Sequence, residues 1–133
     1  MVLLDTNILS ENMRDNPHRK VRAKLQTHSG NFAASVITLS ELRFGAMIHP
    51  EPQRFWSKIE ADLLPLVQWL TVDQAIALQA ADLDAALRRK GQTVGPNDCL
   101  IAATALVHDL VLVTRNTDHF KHMPGLQLEN WFK

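Results

Sequence analysis

The chain has 133 residues, 46% hydrophobic and 21% charged, which suits one globular domain spanning 1–133 with a single sizeable core. Fourteen Lys and Arg stand against fourteen Asp and Glu, so the formal net charge is zero. That balance excludes a whole-molecule field as the means of holding nucleic acid, and leaves local basic patches or bound metal to do it.

In chain order, Met1-Val2-Leu3-Leu4 runs apolar residues directly into Asp5-Thr6-Asn7, as a strand buried on both faces does when it delivers a polar group at its carboxyl end. Ligands sit at that edge in open α/β sheets. Ile8, Leu9 and Met13 keep helical spacing, so a short helix follows with Asp5 or Thr6 at its N-cap. Asn16-Pro17 reads as the start of a second helix ending near Thr27, and it carries Arg19, Lys20, Arg22 and Lys24. This basic run is either a solvated face or a phosphate contact. After the turn Ser29-Gly30-Asn31, a strand is predicted over 32–37. Thr38-Leu39-Ser40-Glu41 fits a capping box, with Thr38 capping and Glu41 reaching back, for a helix that His49-Pro50 stops.

A further helix is predicted from about Pro52 to Leu64, then a strand within Pro65 to Val72, carried by Leu66-Val67-Gln68-Trp69-Leu70. Asp73 caps a long helix whose Ile76, Ala80, Leu83 and Leu87 share a face and which closes on Arg88-Arg89-Lys90-Gly91. Gly95-Pro96-Asn97-Asp98 opens another, apolar nearly all round through Val107, which places Asp98 at the mouth of the core. Val111 to Thr114 is a strand, 115–120 a loop or short helix, and Leu126-Gln127-Leu128 the last strand. The single cysteine, the N-terminus without a signal-peptide pattern and the lack of a membrane-length apolar run point to the cytoplasm.

Asp5, Glu41 and Asp98 each fall where a strand or loop meets a helix. Singly, such acids are helix caps; together they suit a hard cation such as magnesium or manganese, which takes oxygen ligands. Asp5 and Asp98 are the best direct or water-mediated ligands, Glu41 a ligand or a base that orients water, and Asn116 or Asp118 a weaker fourth corner. A zinc reading of His119 and His122 lacks enough ligands, Cys99 reads as a small core residue, and Trp56, Trp69 and Trp131 read as core or interface anchors.

Four segments, Leu4-Asp5-Thr6-Asn7-Ile8, Thr38-Leu39-Ser40-Glu41-Leu42-Arg43-Phe44-Gly45, Pro96-Asn97-Asp98-Cys99-Leu100-Ile101-Ala102 and Leu112-Val113-Thr114-Arg115-Asn116-Thr117, together resemble the PIN-domain ribonuclease family. The likeness is to the VapC and FitB-like toxins of type II toxin–antitoxin pairs. It implies an α/β fold, a twisted, mainly parallel sheet of about five strands with helices on both faces. It also implies an endoribonuclease that uses Mg2+ or Mn2+ and cuts tRNA or ribosomal RNA. The implied partners are a second copy of the chain and a VapB-like antitoxin whose C-terminal segment covers the site, with operator DNA bound only through that antitoxin. The family's acids map to Asp5, Glu41 and Asp98, and its hydroxyl positions to Thr6 and Thr114. At the fourth position many relatives carry an acid, or an Asp three residues on; here stand Asn116 and His119, with Asp118 one position earlier, and the amide of Asn116 contributes no charge, which leaves one or two metals open. A non-catalytic RNA- or partner-binding module is the other function this sequence suits.

Overall fold

Leu3 and Leu4 have no exposed surface, and the strand they form, β1 (Val2–Leu4), lies at the middle of a sheet ordered β3-β2-β1-β4-β5. The computed structural model describes all residues 1–133. β2 (Phe32–Ser35) and β4 (Val111–Val113) flank β1, with Leu3 opposite Ala33 on one side and Leu112 on the other. β3 (Gln68–Leu70) and β5 (Leu128–Glu129) are the edges. Every pairing is parallel, so all five strands end at one edge, and whatever follows them is gathered there.

Alternation along the strands divides the core. Val2 and Leu4 face one layer with Ile8, Val21, Leu42, Ile59 and Trp131, contributed in part by α1 (Thr6–Asn12), α2 (Arg19–Thr27), α3 (Val36–Met47) and α4 (Pro52–Asp62). Leu3 faces the other with Ile76, Leu83, Ile101 and Phe120, from α5 (Gln74–Arg89), α6 (Pro96–Val107) and the short α7 (Thr117–Phe120). Cys99 is buried in this second layer, as a small core residue would be. No helix is long and apolar enough to cross a membrane.

The five strands and the long helices fall where the sequence puts them; four boundaries do not. α2 begins at Arg19, with His18 rather than Asn16 capping, because the His18 ring accepts from Lys20 N–H. Residues 64–66 form a 3-10 turn, so β3 starts at Gln68, and β5 is shifted on to Leu128–Glu129. The fourth change bears on function. β2 stops at Ser35, whose Oγ accepts from Ile37 N–H and starts α3 there. Thr38 is therefore inside the helix, buried, with its hydroxyl unpartnered, and the capping box does not exist. Glu41 is released from that role.

Candidate active site

Each acid owes its place to the parallel sheet. Asp5 extends β1 by one residue: its N–H donates to Val113 O at 2.9 Å, which sets it beside Thr114 at the end of β4. Asp5 also caps α1, its Oδ1 accepting from Thr6 N–H at 2.8 Å. The other oxygen accepts from Thr114 Oγ1 at 2.8 Å and Asn7 Nδ2 at 3.2 Å. Asn7 in turn accepts from Arg115 N–H, and Asn116 N–H donates to Thr114 Oγ1, so both loops are tied to the same carboxylate.

Glu41 joins from α3. Its Oε1 accepts from Thr6 Oγ1 at 2.6 Å, making a hydrogen-bonded run Glu41, Thr6, Asp5, Thr114 across the sheet edge. Asp98, in the first turn of α6, stands close enough for its charge to act on both other acids. Its Oδ2 meets His119 Nδ1 at 3.2 Å. His119 was visible in sequence only as a zinc ligand lacking partners, or as the residue where relatives carry Asp; 21 positions separate it from Asp98, and no local pattern links them. Asp118, the other choice for the fourth corner, is exposed and paired with Lys121 at 3.3 Å, while Asn116 lines a cleft of about 660 Å³ beside the acids.

Burial pushes the Asp5 carboxyl above its ordinary value, against the pull of Thr114, Thr6 and Asn7, and the Asp98 charge pushes it further. Burial raises Glu41 as well, with the charges of Asp5 and Asp98 adding to it and the hydrogen bonds from Thr6 and Asn97 opposing. No three His, Cys, Asp or Glu side chains anywhere in the structure stand close enough to hold one metal ion. The acids share an edge and a field without closing up. Thr6 bonds both Glu41 and Asp5, Thr114 bonds Asp5, and His119 meets Asp98. The donor set nevertheless fits a divalent cation. It is all oxygen, and two of its acids are raised by burial and by neighbouring charge that a cation would offset.

A parallel sheet ordered β3-β2-β1-β4-β5, with acids at the carboxyl edge, is the arrangement of the PIN domain, and the family model of that description matches residues 2–126; the chain belongs to the PIN-domain family. Within it, the likeness is to the VapC and FitB ribonuclease toxins. The tRNA(fMet)-specific endonuclease VapC of Shigella flexneri is 35% identical over 129 residues, covering 97% of this chain and 96% of that protein. Toxin FitB of Neisseria gonorrhoeae is 32% identical over 126 residues, 90% of this chain and 91% of its own. Among solved structures, the DNA-bound VapBC of Salmonella typhimurium superposes with a TM-score of 0.90 at 32% identity, covering 98% of this chain and 99% of that one. Ribonucleases with this domain are generally metal-dependent.

Proposed function

We propose that this chain is the ribonuclease toxin of a type II toxin–antitoxin pair, hydrolysing RNA phosphodiesters at the Asp5, Glu41 and Asp98 edge with Mg2+ or Mn2+. The observation that carries it is the run of oxygens from Glu41 through Thr6 and Asp5 to Thr114, faced by Asp98, in a family of RNA-cleaving hydrolases. Asp5, Asp98 and Glu41 would hold the ion, which when bound lowers the pKa of a water and offsets charge on a phosphate. Asp5 is fixed in orientation by three donors. Glu41, raised in pKa and only partly buried, is suited to accept the proton of the attacking water. Thr6 links Glu41 to Asp5, Thr114 donates to Asp5, and Asn116 offers an amide to a ligand or water at the mouth of the cleft.

The partners follow from the same relatives, whose structures are of toxin–antitoxin complexes, some of them on DNA. We assign this chain an antitoxin that covers the acidic edge, contact with operator DNA only through that antitoxin, and a homodimer as its own assembly. The substrate class is tRNA or ribosomal RNA; the Shigella relative is named for tRNA(fMet). A second reading is a binding module that keeps the fold without turnover. Purified protein with magnesium and a tRNA(fMet) transcript separates the two. Cleavage that stops with chelator and with Asp98→Asn supports the enzyme, while binding without cleavage across several tRNAs and both metals supports the module.

A further inference from the structure

We propose that the RNA strand leaving the acidic edge is held by a cationic track that runs from Arg115 over the C-terminal residues to Lys20 and Lys24 on α2; this rests on the ribonuclease reading for the identity of the polyanion. The track is built from two clefts that share a residue. The first, of about 660 Å³, opens beside the acids at Asn116 and His119 and carries Arg115 and Lys133. The second, of about 270 Å³, is lined by Lys20, Lys24, Trp131 and the same Lys133. Phe132 floors the junction: the Arg115 guanidinium stacks on its ring at 4.4 Å and His18, the cap of α2, meets its edge at 5.1 Å. Residues about a hundred positions apart in sequence are thus brought onto one surface.

A solvated helix face does not account for this. Like most cations of the chain, Arg115, Lys133, Lys20 and Lys24 pair with no carboxylate; what sets these four apart is that they line two clefts joined at Lys133. Lys20 and Lys24 lie four apart on a helix that has no acidic residue, so they repel rather than support each other. The only acidic side chain lining the first cleft is Asp118, already held by Lys121, and no acidic side chain lines the second. In a chain with zero net charge, an unpaired row of cations starting next to the acids supplies the attraction for a phosphate backbone that those acids would otherwise repel.

The test uses the full chain in an Asp98→Asn background, a labelled tRNA(fMet) transcript as probe, and a variant with Lys20→Gln, Lys24→Gln and Lys133→Gln. The transcript should bind about tenfold or more weakly at physiological salt, and the slope of log Kd against log salt should fall by about 2, as three lost phosphate contacts require. Arg115→Gln, on a different element, should shift both in the same direction. In protein with Asp98 intact, the triple variant should raise KM for the transcript about tenfold while lowering kcat much less. A matched control, Arg54→Gln with Lys58→Gln and Arg89→Gln, should change neither. An unaltered Kd and slope in the triple variant, or an equal loss in the control, would overturn the track. Wild-type protein that cuts no RNA would instead overturn the ribonuclease reading, and the binding arm would still decide the track.

Discussion

Asp98 is the acid with the fewest structural duties: it bonds His119 and does not cap α6, whose N-cap is Gly95. Asp98→Asn should therefore cost cleavage about a hundredfold or more and leave the fold alone. Without metal its melting temperature should not fall, because the substitution removes charge that acts on Asp5 and Glu41. A large drop in a metal-free melt would make Asp98 a structural residue. Asp5 and Glu41 set the pH dependence. Both are raised above their ordinary values of 3.8 and 4.5, so the folded state binds more protons than the unfolded chain in the window just above those values. Metal-free stability from these two groups should rise as pH falls from neutral through that window and level off below it, and metal affinity should fall over the same range. Melts from pH 7 to about 4, with Asp5→Asn as the comparison, check the sign.

Elements carry predictions of their own. α3 holds Thr38 with a buried hydroxyl that has no partner, so Thr38→Val should leave stability unchanged or raise it by up to about 1 kcal/mol in denaturant unfolding; a loss of that size would mean the hydroxyl bonds a water. The joint of α1 and α2 depends on Glu11, which is 6% exposed. Burial would raise its pKa, but the His18 N–H at 2.8 Å and Arg14 at 3.3 Å hold it below the ordinary range. Glu11→Ala should cost about 1–3 kcal/mol by leaving the His18 N–H unpaired. The contribution of Glu11 has the opposite sign to that of Asp5: it is present above the unfolded value and lost as pH falls through the depressed one.

These elements also show what the amino-acid sequence can and cannot carry. β1 and Asp5 were legible because three apolar residues meet three polar ones with no loop between. α5 and α6 were legible because their caps and apolar spacing agree. The start of α3 was not: Ser35-Val36-Ile37-Thr38 is β-branched enough to prolong a strand, and a Thr three residues before a Glu imitates a cap wherever it occurs. The Thr6 to Glu41 bond and the Asp98 to His119 contact join residues 35 and 21 positions apart, and only the folded sheet brings them together.

For the molecule as a whole, zero net charge and a five-stranded parallel sheet set an acidic edge beside a cationic flank, which in the proposed function carry the chemistry and the grip. The three carboxylates of the edge rest on Thr6, Thr114 and His119. A divalent ion would change that arrangement by offsetting the charge. Anomalous diffraction from crystals soaked in Mn2+ tests this most directly. One peak is expected, with Asp5 and Asp98 oxygens drawn to roughly 2 Å from it and Glu41 within reach directly or through a water. A fully occupied Mn2+ site elsewhere, with the three acids still on their present partners, would contradict that expectation.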